Sequence, residues 1–182
     1  MKDTFLYRFG KSAYDLGSRT FVMGVLNVTP DSFSDGGKYN TPEAALAHAV
    51  EMANDGADFI DIGGQSTRPG SEEIPLDEEL KRVIPVIKEV VKNVKIPVSV
   101  DTYRSVVADE SLKYGAVIVN DISGFNFDSA MPKVIAAHNA TAIVMHIKGT
   151  PKTMQSDTIY ENLIGEISSF FENAGWKANV EG

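Results

Sequence analysis

Polar side chains stand at the ends of five short apolar runs in this 182-residue sequence. They are Asn27, Asp61, Asp101, the pair Asn120 and Asp121, and His146. Carboxylate, amide and imidazole groups donate or accept hydrogen bonds and can bind polar ligands. If the runs are parallel strands, their carboxyl ends meet at one edge of the sheet, where ligands bind in parallel α/β proteins. The pattern therefore predicts the polar floor of a binding or catalytic site.

Two long polar segments follow the first two apolar runs. They read NVTPDSFSDGGKY at 27–39 and GGQSTRPGSEEIPLD at 63–77, whereas a loop between a strand and a helix has about two to six residues. Long loops of this kind are typical of lids and binding loops. Phe33 suits a lid that closes over a ring, and Arg68 suits contact with an anion.

Simpler interpretations of these residues stay open at this point. Phe33 can pack on the body of the protein, and Arg68 can pair with Glu72 or Glu73. Any single polar residue at a strand end can also begin an ordinary loop. The agreement of all five strand ends is what favours a site.

The apolar runs themselves predict the elements that position these residues. They are nearly continuous, which indicates strands buried on both faces of a parallel sheet. The five runs lie at 21–26, 57–62, 96–100, 116–120 and 141–145. Helices are predicted between and after them, at about 41–56, 76–92, 102–114, 129–138 and 157–175. Five strand–helix repeats predict a sheet built of βαβ crossovers.

Particular residues predict where the helices begin and end. Thr41 and Pro42 open the first helix as N-cap and first helical residue. Pro85 predicts a kink or a late start of the second helix. Asp157 is the expected N-cap of the fifth helix, and Gly175 is expected to close it.

Two α/β architectures fit this order, a doubly wound open sheet and a (β/α)8 barrel. A complete barrel typically takes about 250 residues, so this chain supplies about five units. The dinucleotide-binding open sheet is disfavoured because no G-x-G-x-x-G motif follows the first strand. Residues 1–19 predict a small β-hairpin that caps the sheet, with a turn at Gly17–Ser18.

Composition excludes several classes of protein. A net charge of −8 disfavours a nucleic-acid partner, and no apolar run approaches the roughly 20 residues of a membrane span. The absence of cysteine excludes thiolate metal sites and a cysteine nucleophile. The first residues contain no apolar core of a secretory signal, so we expect a cytoplasmic protein.

Two long motifs resemble the dihydropteroate synthase family of pterin-binding enzymes. They are MGVLNVTPDSFSDGG at 23–37 and DIGGQSTRPG at 61–70, and further matches follow at 99–103, 118–124 and 145–155. The resemblance implies an α/β TIM (β/α)8-type barrel, incomplete here, and a single pterin-binding domain over 1–182 that is truncated at its C-terminus. We therefore expect the first and fifth predicted strands to form open edges.

The resemblance also implies an activity. The family condenses para-aminobenzoate with 6-hydroxymethyl-7,8-dihydropterin pyrophosphate and releases dihydropteroate and pyrophosphate, with Mg²⁺ as cofactor. The implied partners are these small molecules, with a homodimer in the complete protein. We expect the 182-residue chain alone to be inactive. A non-catalytic pterin-binding relic and a methyltetrahydrofolate-dependent methyltransferase are the alternative functions.

The resemblance assigns roles to individual residues. Asp101 and Asn120 match the positions that recognise the pterin edge, while Ile122 and Met145 suit the faces of its ring. Asn27 matches the position that contacts Mg²⁺ and the pyrophosphate.

The two long segments supply the other implied roles. Phe33, Thr67, Arg68 and Pro69 are expected around aminobenzoate, and Arg68 and Asp35 join Asn27 as expected catalytic residues. Gln65 departs from the family, which usually has glutamate at this position.

Overall fold

The computed structural model describes residues 4–29, 41–156 and 158–181. The predicted roles of Phe33, Asp35 and Asp157 therefore concern positions outside the described residues. No helix within the described ranges is both long and apolar enough to cross a bilayer.

Five parallel strands form one sheet, as the apolar runs predict. The parallel strands are β3 (Met23–Asn27), β4 (Phe59–Gly63), β5 (Val98–Asp101), β6 (Ile118–Asp121) and β7 (Thr141–Val144). Their order in the sheet is their order in the chain, so every connection is a crossover through a helix. β3 and β7 form the two open edges, which confirms the expectation for the first and fifth runs.

Helices cover one face of the sheet. They are α1 (Pro42–Asn54), α2 (Leu76–Asn93), α3 (Ser105–Lys113), α4 (Met131–Ala137) and α5 (Leu163–Glu181). α1 begins as the sequence predicts, because the Thr41 side chain accepts a hydrogen bond from the Ala44 N–H and Pro42 takes the first turn.

Three details of the helices differ from the sequence predictions. α2 starts at Leu76 and continues through Pro85, so the alternative of a late start was wrong. α5 begins at Leu163, where the Asn162 Oδ1 atom accepts a hydrogen bond from the Gly165 N–H at 3.1 Å. Gly175 does not close this helix, because an interior glycine costs only about 1 kcal/mol and Ala174 beside it packs into the core.

An antiparallel hairpin precedes the sheet. It consists of β1 (Leu6–Phe9) and β2 (Ser12–Asp15). Its own turn lies at Gly10, whose φ of +58° favours glycine. The predicted turn at Gly17–Ser18 is also present and follows β2, where the Ser18 N–H donates to the Asp15 carbonyl oxygen at 3.0 Å. Phe9 packs against Phe59, with ring centroids 4.9 Å apart. Because Phe59 begins β4, the hairpin lies against the amino ends of the parallel strands, opposite the polar strand ends.

The main core lies between the sheet and the helices. Leu26, Ile60 and Ile62 of the strands are fully buried in it, together with Val83 and Ile87 of α2. Burial of each such side chain contributes about 1.5–3 kcal/mol. The other residues of each strand point to the concave inner face, and this core fixes their register.

The inner face is partly exposed because the sheet does not close into a barrel. Val25 in the middle of β3 is 59% exposed, and Ile143 of β7 is 36% exposed. The prediction that all five strands are buried on both faces is therefore wrong for the edge strands and correct for β4 and β5.

Candidate active site

The strand register brings the predicted polar residues into one layer at the carboxyl end of the sheet. Asn27 lies beside Gly63, Gly63 beside Asp101, and Asp101 beside Asn120. A Cβ atom at Gly63 would lie 3.3 Å from Asp101 Oδ2 and 3.7 Å from Asn27 Oδ1. The glycine therefore leaves the space between these two side chains open.

Asp61 lies one layer deeper on the same face, at the level of Ser99. Its Oδ2 atom accepts a hydrogen bond from Asn120 Nδ2 at 2.9 Å. This contact sets the orientation of the Asn120 amide and leaves its carbonyl oxygen as an acceptor. Asp61 was predicted as part of the polar floor but without an individual role, although its position two residues before Gly63, on the inner face, was a usable clue.

Burial is the main influence on the pKa of the Asp61 carboxyl. Its exposed fraction is 4%, and burial raises its pKa more than the Asn120 hydrogen bond lowers it. Asp61 Oδ1 and Ser99 Oγ have no other partner among the residues that the structure describes, and the Ser99 hydroxyl is the other group that lowers the pKa of Asp61.

Within this layer of polar side chains, Asp101 has the most strongly shifted pKa. Burial, followed by the negative charges of Asp61, Glu79 and Asp121, raises the pKa of its carboxyl to about 8. Its buried Oδ1 atom has no hydrogen-bond partner within the described ranges. A ligand that brings N–H donors to this oxygen would satisfy it and stabilise the carboxylate.

Two apolar residues lie just beyond the ends of β6 and β7. Ile122 is buried, and Met145 is 40% exposed with its N–H donated to the Asp121 carbonyl oxygen at 3.1 Å. They place apolar surface next to the polar layer. The next residue, His146, packs its ring against Phe170, with centroids 4.8 Å apart, which suits the wall of a site better than a general base.

The segment after β4 carries the predicted anion-binding residues. Thr67 is half-buried, while Arg68 and Pro69 are exposed. Glu72 pairs with Lys152 at 2.7 Å, and no carboxylate of the described chain pairs with Arg68. The alternative in which Glu72 or Glu73 neutralises Arg68 is therefore not realised, and within residues 4–29, 41–156 and 158–181 no acidic group pairs with its guanidinium.

Neighbouring elements hold this segment, which we call loop 64–74. Arg82 of α2 donates to the Gly64 carbonyl oxygen at 3.1 Å, and Arg104 donates to the Ile74 carbonyl oxygen at 2.7 Å. Between these two ends, the Gly70 N–H donates to the Pro151 carbonyl oxygen at 2.9 Å. The loop is thus fixed at both ends and contacts the segment that follows β7.

The described residues contain no cluster of three or more acidic or histidine side chains that could hold a metal ion. Asn27 offers one neutral oxygen at the end of β3. That fits Mg²⁺ if substrate phosphate oxygens and water complete its coordination, which is how Mg²⁺ is commonly bound.

The fold and the site together define a class of protein. A barrel-type parallel sheet with carboxylates and amides at its carboxyl edge is typical of enzymes that act on small polar molecules. Residues 23–181 match the family described as pterin binding enzyme. The chain belongs to this family.

Its relatives carry a more specific name. Dihydropteroate synthase from Synechocystis sp. is 52% identical over 162 residues, which cover 89% of this chain and 56% of the relative. The structure of the Clostridium difficile dihydropteroate synthase in the presence of pteroic acid has a TM-score of 0.84 at 45% identity and covers 93% of this chain and 62% of that one.

A third relative was solved with another small molecule. The Xanthomonas albilineans dihydropteroate synthase with 4-aminobenzoic acid has a TM-score of 0.87 at 36% identity, over 99% of this chain and 63% of that one. These structures are TIM barrels, which confirms the predicted fold class. The chain spans about half the length of the curated relatives that it matches.

Proposed function

We propose that the protein containing this chain is a dihydropteroate synthase of folate synthesis. It would condense para-aminobenzoate with 6-hydroxymethyl-7,8-dihydropterin pyrophosphate to give dihydropteroate and pyrophosphate. The observation that carries the proposal is the buried Asp101 oxygen beside Asn120 at the carboxyl edge of the sheet, which has no hydrogen-bond partner among the residues that the structure describes. Location in the cytoplasm and assembly into a homodimer stay predictions.

The polar layer suits the pterin edge. A pterin presents an amino group and a ring N–H next to acceptor atoms, so it needs a carboxylate and an amide side by side. Asp101 would accept from the donors, and the carbonyl oxygen of Asn120 would accept a further one because its amide nitrogen is engaged by Asp61. Ile122 and Met145 would contact the ring faces.

Loop 64–74 suits the second substrate. Arg68 has no acidic partner among the described residues and would contact the carboxylate of aminobenzoate. Thr67 and Pro69 would border it, with Phe33 from the first long segment. The solved relative with 4-aminobenzoic acid supports this class of ligand.

The reaction requires positioning and charge stabilisation more than a nucleophilic side chain. The bond between the pterin methylene carbon and the pyrophosphate oxygen breaks, the amine nitrogen forms the new bond to that carbon, and the nitrogen then loses a proton. Holding the two substrates in line accounts for a large part of such catalysis. Asn27, Asp35 and Arg68 are the proposed catalytic residues.

Asn27 would hold Mg²⁺ together with the pyrophosphate of the substrate. When bound, the ion would neutralise negative charge on the leaving pyrophosphate. Asn27 would also orient the pyrophosphate, since its side chain lies next to the open space above Gly63.

Dihydropteroate formation tests the proposal. The protein expressed from its complete open reading frame is incubated with both substrates and Mg²⁺, and the product is quantified by chromatography. We expect turnover that depends on aminobenzoate and is lost when the metal is chelated, and no turnover by the 182-residue chain alone. A complete protein that binds the pterin without turnover, or that transfers a methyl group from methyltetrahydrofolate, would contradict it.

The pKa of Asp101 gives a pH prediction for pterin binding. Because the free carboxyl has a pKa of about 8 and the ligand favours the carboxylate, binding must release a proton below that pH. Affinity should rise about tenfold per pH unit up to pH ~8 and then level off. Calorimetric titrations with a 7,8-dihydropterin, in buffers of different ionisation enthalpy, measure both effects. A flat affinity between pH ~6 and pH ~8 would contradict the assignment.

A further inference from the structure

We propose that Gln65 is a positioning residue that fixes loop 64–74 and, through Tyr103 and Glu73, sets the affinity for the substrate that Arg68 contacts. The inference rests on the proposed function, in which that substrate is aminobenzoate. Gln65 is 5% exposed. It acts through the segment that carries Arg68.

The hydrogen bonds of Gln65 have only one consistent orientation. The Ile74 N–H donates to Gln65 Oε1 at 3.2 Å, and Gln65 Nε2 lies 2.6 Å from the Tyr103 hydroxyl oxygen. A backbone N–H can only donate, so the amide oxygen must face Ile74 and the amide nitrogen must face Tyr103. The Tyr103 oxygen is therefore an acceptor, and its own proton is directed elsewhere.

Glu73 of loop 64–74 is the carboxylate toward which this proton can point, since its negative charge adds to burial in raising the pKa of Tyr103. Tyr103 is itself held in place, since its ring packs edge-on against Phe127 with centroids 5.2 Å apart. Because Gln65 donates to the Tyr103 oxygen, the one hydroxyl proton of Tyr103 is left available for Glu73.

The same stretch of loop is bound from its other side. The Ile74 carbonyl oxygen accepts from Arg104 Nη2 at 2.7 Å, and Arg104 Nη1 pairs with the buried Glu79 at 2.8 Å. Both partners of Ile74 therefore lead to residues 103–104, which are separated from Asp101 by Thr102 alone. Loop 64–74 is tied to the strand end that we assign to the pterin.

A glutamate at position 65, which the family resemblance predicts, would change this arrangement. Its carboxylate would accept from both the Ile74 N–H and the Tyr103 hydroxyl. It would then compete with Glu73 for a single proton and place a second negative charge beside it. An amide at position 65 therefore suits a carboxylate at position 73, because only one of the two groups then needs the Tyr103 proton.

Steady-state kinetics of the complete protein test the role of Gln65. For Gln65→Leu we expect the KM for aminobenzoate to rise about tenfold, the loss expected for two neutral hydrogen bonds, with kcat and pterin affinity within about twofold. For Gln65→Glu we expect a smaller rise in KM that grows with pH as the new carboxyl ionises. Adding Glu73→Gln to that variant should bring the KM back toward the wild-type value and remove the added pH dependence.

The matched controls keep the test independent of folding and of the proposed activity. Hydrogen exchange at the Ile74 amide reports directly on the hydrogen bond from this N–H to Gln65. The exchange should be faster in Gln65→Leu, while the unfolding temperature stays unchanged. An unchanged KM and unchanged exchange in that variant, or no rescue by Glu73→Gln, would overturn the inference. If the wild-type protein makes no dihydropteroate, the proposed function fails, while the exchange measurement still decides the role of Gln65.

Discussion

The Asp101→Ala change is expected to weaken binding of the pterin substrate by well over tenfold. The carboxylate is the buried acceptor for the ring donors, and each donor left unpaired in a closed site costs about 1–3 kcal/mol. A loss of about 1.4 kcal/mol already corresponds to tenfold in affinity. Calorimetric titration of the complete protein with 6-hydroxymethyl-7,8-dihydropterin pyrophosphate measures the effect.

Two further variants separate recognition from general damage. Asp101→Asn keeps the shape but replaces one acceptor by a donor, so it should also lose affinity and should abolish the proton release described above. Asp109→Ala removes an acidic residue of α3 that pairs with Lys113 and His138 on the surface, and it should bind normally. Normal pterin affinity in Asp101→Ala, at an unchanged unfolding temperature, would remove Asp101 from the site.

The Arg104→Met change should lower the free energy of unfolding by about 3–5 kcal/mol, because it leaves the buried Glu79 without its ion-pair partner. Arg104 and Glu79 are joined at 2.8 Å, and their side chains are 18% and 3% exposed. Glu79 also accepts from the Thr102 hydroxyl at 2.8 Å, so it cannot move to solvent without breaking that contact. Urea unfolding of the complete protein measures the loss.

The pH dependence of that loss identifies its cause. Burial raises the pKa of Glu79 even with Arg104 present, and removal of the cation must raise it further. The folded state of the variant then binds a proton more tightly than the unfolded state, so its stability rises as the pH falls through this raised pKa. The difference in unfolding free energy between Arg104→Met and the wild-type protein should therefore become smaller in acid. Adding Glu79→Gln to Arg104→Met should recover part of the lost stability. An equal loss at every pH would contradict this explanation.

The position of the site was predictable because it depends on short-range features. An apolar run predicts a buried strand, and a polar residue at its end must lie at the carboxyl edge of a parallel sheet. Asn27, Asp101 and Asn120 therefore came together as expected. The start of α1 at Thr41 and Pro42 was predictable for the same reason, since an N-cap is a local interaction.

Features that depend on distant parts of the chain were not predictable in this way. The Asp61–Asn120 bond joins residues that are 59 positions apart, and the Gln65–Tyr103 bond spans 38. Gly175 has the local character of a helix end, yet packing of Ala174 in the core continues α5 past it. In each case a tertiary contact outweighs the local preference.

A crystal structure of the complete protein with pteroic acid tests the central claim most directly. Pteroic acid carries both the pterin ring and the aminobenzoate group, so one ligand reports on both proposed subsites. We predict that the ring amino group and ring N–H will lie within hydrogen-bond distance of Asp101, with Asn120 beside them, and that the carboxylate end will extend toward Arg68. A pterin ring bound away from the carboxyl ends of β5 and β6, with Asp101 still unpaired, would contradict the account.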